Sequence, residues 1–322
     1  MIRCSYLNLR NRSVFSTQRY AQYRRDHCCV TDSDGVSMTS IATLRAPEPP
    51  GARRPISRHY LMCRPEHFDV TYAINPWMDV TAPVDRALAL AQWDALRAAY
   101  ERCGHRVDVI AAEPGLPDMV FAANGGLVVG GAALSARFAN AERVPEGPAY
   151  HRWFSARGLT RVRAATEINE GEGDFAVVGG RILAGTGFRT APAAHREAER
   201  FFGRPVISLE LVDPRFYHLD TALMPLGDTI AFHPPAFSAD SARLLHAMFP
   251  DALIATEADA NVLGLNGVCD GYHVFLTDRA TTLPDQLRER GYHPVGIDLS
   301  ELLKAGGSVK CCTLELHRAA PA

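Results

Sequence analysis

The chain has 322 residues, a formal net charge of -2 at pH 7 and a hydrophobic fraction of 47%. That is enough apolar material for one large folded domain or two ordinary ones, and it excludes fibrous and collagen-like classes. The near-neutral charge supplies no general basic field for nucleic acid, and no apolar run reaches the length of a membrane span, so a protein acting on small molecules is expected.

Residues 1–57 stand apart at the start of the chain. "MIRCSYLNLRNRSVFSTQRYAQYRR" carries six arginines and no acid, then a Ser/Thr/Asp tract leads to "APEPPGARRP". We read this stretch as a disordered extension, either an organelle-targeting peptide or an upstream start, and 58–322 as one catalytic domain. The eight cysteines (4, 28, 29, 63, 103, 269, 311 and 312) form no CxxC pair and have no zinc-type histidine spacing. Reduced thiols in a cytoplasmic setting are expected, with no metal; the "HCC" at 27–29 lacks the second half that a structural zinc site needs.

From His59 onward short apolar strands alternate with amphipathic helices. "HYLMCR" reads as a strand, and Pro83–Cys103 as a helix with Val84, Leu88, Leu90, Trp93, Leu96 and Tyr100 in its apolar stripe, closed by Gly104. "RVDVIA" is the next strand, and further helices are expected at 146–157, 191–202, 237–248 and 283–291. Polar clusters interrupt apolar strands at 121–131, 170–180, 216–228, 260–267 and 306–316, about 45–50 residues apart. Such a period suggests radially arranged units that bring equivalent strand ends to a common centre.

The last cluster, "GGSVKCCTLEL" (306–316), reads as a strand. Alternation would then put Cys311 with Thr313 and Glu315, and Cys312 with Leu314 and Leu316. Cys311 becomes the candidate nucleophile and Cys312 the packing thiol, although Cys311 can equally be a second packing cysteine. A nucleophilic cysteine needs a base, usually a histidine oriented by a carboxylate. His218 in "YHLDTAL" is the best placed, because on a strand it shares a face with Asp220; a structural, hydrogen-bonded histidine is the alternative.

"EGEGD" at 170–174, "HLDT" at 218–221 and "GGSVKC" at 306–311, in this order and at these separations, resemble the guanidino-group-modifying enzymes. These are the dimethylarginine dimethylaminohydrolases, arginine deiminases and dihydrolases, and amidinotransferases. The resemblance covers about residues 59–317 and implies an α/β fold, the five-bladed propeller (pentein), closed by pairing of its first and last strands.

The resemblance also implies Cys311 as nucleophile, His218 as general acid/base and an acid from "EGEGD" to orient it. Glu172 is favoured for that task, with Glu170 and Asp174 toward the substrate. Asp220 would grip the guanidinium. Arg143 and Arg189 match positions that hold the substrate α-carboxylate, a task suited to arginine's planar fork, unless they are solvated surface arginines.

Asn124 in "FAAN" stands where deiminases and dimethylargininases carry an acid, and Asn75 in "AINPWM" lies where a gating loop would sit. That pair resembles the arginine dihydrolase branch, since an amide can both donate to and accept from a neutral ureido group; a plain turn before Gly125-Gly126 is the alternative for Asn124. The implied activity is hydrolysis of the guanidino group of free arginine or methylarginine through a covalent thiouronium, with neither metal nor organic cofactor. Arginine dihydrolysis, amidino transfer and non-catalytic arginine binding are the other readings.

Overall fold

The computed structural model describes residues 53–317, which contain five small sheets of three strands each. The 27–29 motif and the remainder of the N-terminal stretch up to residue 52 lie outside the described residues. Its last part does not: Arg53 lies over the Tyr292 ring and the Ile56 amide donates to the Asp270 carbonyl.

In chain order the strands are β1 (His59–Cys63), β2 (Arg106–Ile110), β3 (Gly126–Val129), β4 (Ala132–Ser135), β5 (Arg161–Ala164), β6 (Phe175–Val178), β7 (Arg181–Thr186), β8 (Val206–Glu210), β9 (Leu223–Pro225), β10 (Ile230–Phe232), β11 (Leu253–Ile254), β12 (Val268–Cys269), β13 (His273–Thr277), β14 (His293–Ile297) and β15 (Leu314–Glu315). Each sheet repeats one pattern. An inner strand pairs antiparallel with a middle strand, and the middle strand pairs parallel with an outer one. A parallel pair needs a crossover, and helices Arg86–Arg102, Glu146–Ser155, Pro192–Phe202, Ala239–Met248 and Leu283–Glu289 supply it.

The first sheet takes its inner strand from the end of the chain, with Leu61 opposite Leu314, so first and last strands close the ring. Around the axis β15 meets β3, β6 meets β9 and β9 meets β12. The arrangement is the expected five-bladed α/β propeller.

Burial on both faces explains why strands such as β1, β3 and β4 read as apolar runs. Tyr60 and Met62 enter the wedge shared with Trp93 and Phe275, while Leu61 and Cys63 enter the next, with Tyr150 and Phe154. Period-two side chains thus feed two cores at once. Trp93 is wholly buried, and truncating such a side chain to alanine costs about 3–5 kcal/mol. In the first helix Trp93, Leu96 and Tyr100 of the predicted stripe are buried, Leu90 is half-buried and Leu88 is exposed.

Candidate active site

Two segments read as strands are not strands. Residues 309–312 form turns, with the Cys312 amide bonded to the Ser308 carbonyl and Thr313 to Lys310. His218 caps a single helical turn, Leu219–Ala222. Both were expected as extended chain, but a largely buried turn can have the same composition as a strand.

Cys311 is nevertheless set apart from Cys312 by its partners. Its Sγ donates to Oδ2 of Asp220 at 3.3 Å and accepts from Nδ2 of Asn266 at 3.1 Å. Oδ1 of Asn266 accepts from the Cys311 amide, so one side chain grips backbone and sulfur together. Cys312 is fully buried among apolar groups. Burial, then the neighbouring Asp220, push the Cys311 thiol well up, so it rests protonated. Burial also raises Asp220 to about 7, against the pull of Lys310 and its hydrogen bonds from Cys311 and Asn266.

The carboxylate on His218 is Glu170, not Glu172. Nε2 of His218 lies 2.8 Å from Oε2 of Glu170. Burial pushes the Glu170 carboxyl up, but Arg189, the His218 ring and Arg143 together hold it well below the usual range. An ionised carboxylate only accepts, so Nε2 carries a proton, and the buried Nδ1 has no protein partner.

The resemblance favoured Glu172, and the local geometry turns that side chain away. Residues 171–173 form a 3₁₀ turn, in which successive side chains rotate by about 120° rather than alternate. Glu172 consequently points elsewhere, accepting from Nζ of Lys310 at 2.6 Å and from the Glu315 amide. Asp174, expected on the substrate, accepts from the Thr190 hydroxyl at 2.7 Å and from the Leu219 amide, pinning the turn that carries His218. Burial raises its carboxyl to about 6. Glycine is required in this turn: a Cβ on Gly173 would stand 2.2 Å from Nδ2 of Asn124 and 3.3 Å from Nδ1 of His218.

The two arginines are buried, not solvated. Arg143 makes a two-pronged pair with Glu146 at 2.8 and 2.9 Å and donates to Oδ1 of Asn124 at 2.9 Å. Arg189 bonds both oxygens of Glu170 and donates to the Ile74 carbonyl at 2.9 Å. Asn124 completes the link by donating to the Glu170 carbonyl, so its amide holds protein groups on both sides. Asn75 accepts from the Trp77 amide and donates to the Ala305 carbonyl.

Those contacts fasten the 64–85 segment across the cluster. Trp77 donates to the Arg215 carbonyl, and Tyr72 to Oδ2 of Asp118 at 3.0 Å. A connection of this length without helix or strand is uncommon in a compact domain. Cys311, His218 and Asp220 are 2%, 1% and 5% exposed.

Sequence reasoning passed over Asn266 and Asp118. The repeat had marked 260–267 as one of the converging clusters, so Asn266 was within reach of that signal. Asp118 sits wholly buried near Arg143, with Oδ1 lacking a protein partner, and its only mark was an acid inside an apolar run. Among the described residues, no group of three or more His, Cys, Asp or Glu side chains is disposed to hold a metal, and no helix is long and apolar enough to cross a membrane.

The chain is 55% identical over 269 residues to the N(G),N(G)-dimethylarginine dimethylaminohydrolase of Mycobacterium tuberculosis, covering 83% of this chain and 89% of that one. It is 38% identical to the bifunctional arginine dihydrolase/ornithine cyclodeaminase ArgZ of Synechocystis, of whose length the match spans 37%. The crystal structure of the substrate-bound N-terminal domain of ArgZ superposes with a TM-score of 0.78 at 36% identity, covering 81% of this chain and 99% of that one. The Pseudomonas aeruginosa dimethylarginine dimethylaminohydrolase shares the fold at a TM-score of 0.71 and 18% identity, covering 81% and 99%. No protein-family model matches the chain.

Proposed function

The chain belongs to the family of guanidino-group-modifying enzymes that includes the dimethylarginine dimethylaminohydrolases, and on that footing we propose that it hydrolyses N(G)-methylated arginine to citrulline and an alkylamine. The observation that carries this reading is the buried cluster in which Asp220 touches Cys311 while Glu170 holds His218, two residues earlier in the chain.

A guanidinium carbon is a poor electrophile, so the site must hold its nitrogens and bring a thiolate over its plane. Oδ1 of Asp220 has no protein partner and is free to accept from a guanidinium N–H. The cation beside Cys311 stabilises the thiolate, and Nδ1 of His218 takes the thiol proton. Attack forms the S–C bond, and the imidazolium returns its proton to the departing amine as the C–N bond breaks. The thiouronium left on sulfur is then hydrolysed: His218 takes a proton from water, hydroxide adds to carbon, and the thiol leaves with that proton. Arg143 and Arg189 are already committed to carboxylates, so we assign them to fixing Glu170 and the 64–85 segment, with their remaining N–H groups open to a substrate carboxylate.

A second reading, double hydrolysis of arginine to ornithine and ammonia, is favoured by one observation: amides, Asn75 and Asn124, stand in the 64–85 segment and beside Arg143. Offering arginine, monomethylarginine and dimethylarginine separately and identifying the products decides between the two. Citrulline plus dimethylamine supports the first reading, ornithine plus ammonia replaces it with the second, and guanidinoacetate formed when glycine is added would indicate amidino transfer. The described cysteines are all free, which supports a reducing, cytoplasmic setting for this chemistry.

A further inference from the structure

Among the described residues, Leu263 is the only one other than glycine whose backbone is left-handed, at φ +55°, and its side chain is fully buried. Such a conformation is unfavourable for leucine and persists where the surroundings hold it, often at a functional site. The turn it makes delivers Asn266. The Leu263 carbonyl accepts from the Asn266 amide at 3.0 Å, and the Asn266 carbonyl accepts from the Lys310 amide at 3.1 Å. The wholly buried Asn266 side chain is thereby set against the nucleophile.

Its partners fix which end of the side-chain amide faces sulfur. Oδ1 accepts from the Cys311 amide at 3.0 Å, while Nδ2 donates to the Asp220 carbonyl and to Sγ of Cys311, both at 3.1 Å. A main-chain N–H can only donate and a main-chain carbonyl can only accept, so a flipped amide would oppose like with like at both. Sulfur therefore faces an N–H whatever its own protonation state. The S–H of the resting thiol points instead at Oδ2 of Asp220, 3.3 Å away. Once that proton leaves, an ionised Asp220 is a like charge beside sulfur, and Asn266, joined by the Ser308 main chain, favours the thiolate.

We propose that Asn266 is a further catalytic residue, whose Nδ2–H holds the Cys311 sulfur as thiolate before attack on the guanidinium carbon and again as the thiouronium breaks. This rests on the hydrolytic reading above. No proton leaves Asn266. In the first half-reaction the thiol proton passes to His218 and the sulfur electron pair forms the S–C bond. In the second, hydroxide adds to carbon and the S–C pair returns to sulfur, where the N–H meets the growing charge. A hydrogen bond to an ionised acceptor is about twice as strong as one between neutral groups, so the donor acts most where sulfur is anionic. Lowering the basicity of sulfur also lowers its nucleophilicity in part, so departure gains more than attack.

The test is alkylation of the full-length protein by 2-chloroacetamidine, an amidinium whose chloride a thiolate displaces without any turnover. Its rate is followed across pH, and fragment-ion mass spectrometry places the product on Cys311. Asn266→Ala removes the donor, and the pH midpoint of alkylation should rise by about one pH unit. Asn266→Asp keeps the volume and the acceptor for the Cys311 amide but puts an oxygen where the N–H stood, and should raise the midpoint as well. Acid quenching during turnover of dimethylarginine should trap more thiouronium on Cys311 in these variants than in wild type. Upward shifts with more trapped adduct support the assignment. A midpoint that stays put or falls overturns it, because looser packing slows alkylation at every pH without moving the midpoint; adduct no higher than in wild type overturns the role in departure. If Asn266→Ala fails to fold, Asn266→Asp decides. If the wild-type chain turns over no guanidino compound, the hydrolytic reading falls while the alkylation profile still tests Asn266.

Discussion

Nε2 of His218 meets Oε2 of Glu170 at 2.8 Å, and a glutamate two positions further on, Glu172, faces the opposite way toward Lys310. Glu170→Gln removes the charge that fixes the imidazole tautomer, so kcat should fall by about 10²-fold or more with little change in KM. Glu172→Gln should stay within about tenfold of wild type at pH 8, because it leaves the imidazole partner intact. Steady-state kinetics of both variants compare the two roles directly.

Asp220 titrates near 7, far above an exposed aspartate. Its folded pKa is raised above the unfolded value, so the folded state holds this proton more tightly, and as pH climbs from about 4 to 7 the group costs stability. Asp220→Asn should therefore raise the melting temperature at pH 8 and leave it little changed at pH 4, by about 2–4 °C for each kcal/mol recovered. Glu170 works in the opposite direction: its depressed pKa stabilises above the usual carboxylate range and that contribution is lost as pH falls below about 4. Thermal melts across pH of wild type and Asp220→Asn test the first claim. Catalysis should likewise decline below pH 7, as a protonated Asp220 loses the guanidinium.

The 64–85 segment, which we read as a lid, is held by a few polar contacts to the ring. Trp77→Phe removes the indole donor to Arg215, and Asn75→Ala removes the tie to Ala305. Each should increase amide exchange across residues 64–85 and raise KM by a few fold to about tenfold, the cost of roughly one hydrogen bond. Gly306 backs this contact: its φ is +81°, and a Cβ there would lie 2.9 Å from the Tyr217 hydroxyl and 3.0 Å from Oδ1 of Asn75. Gly306→Ala should disturb the lid more than either side-chain change. Exchange mass spectrometry gives the order.

The ring was legible in the sequence because polar clusters recur about every 45–50 residues between helices, and the helix at Arg86–Arg102 begins and ends within three residues of its expected limits. The converging clusters were legible too, and they pointed at 260–267 before Asn266 had a role. What was not legible was local geometry at the axis. The resemblance favoured Glu172 for His218 and the run at 306–316 read as a strand, whereas a 3₁₀ turn at 171–173 and tight turns at the cysteines govern where those side chains go. The resemblance marked Arg143 and Arg189 for a substrate carboxylate, but the protein carboxylates of Glu146 and Glu170 that they hold emerge only in the fold.

Cys312 tests the distinction between the paired thiols. It is fully buried, so Cys312→Ser places a hydroxyl among apolar groups and should cost about 1–3 kcal/mol of stability while turnover persists. Cys311→Ser should keep the fold and lose turnover. Denaturant melts and activity assays on the two variants separate packing from chemistry.

The most direct measurement is to quench the protein with acid during turnover of dimethylarginine and map the modified residue by fragment-ion mass spectrometry of the peptide that begins at Cys311. A thiouronium adduct on Cys311, present in Cys312→Ser and absent in Cys311→Ser, is the predicted result. An adduct on Cys312, or turnover that continues in Cys311→Ser, would contradict the account.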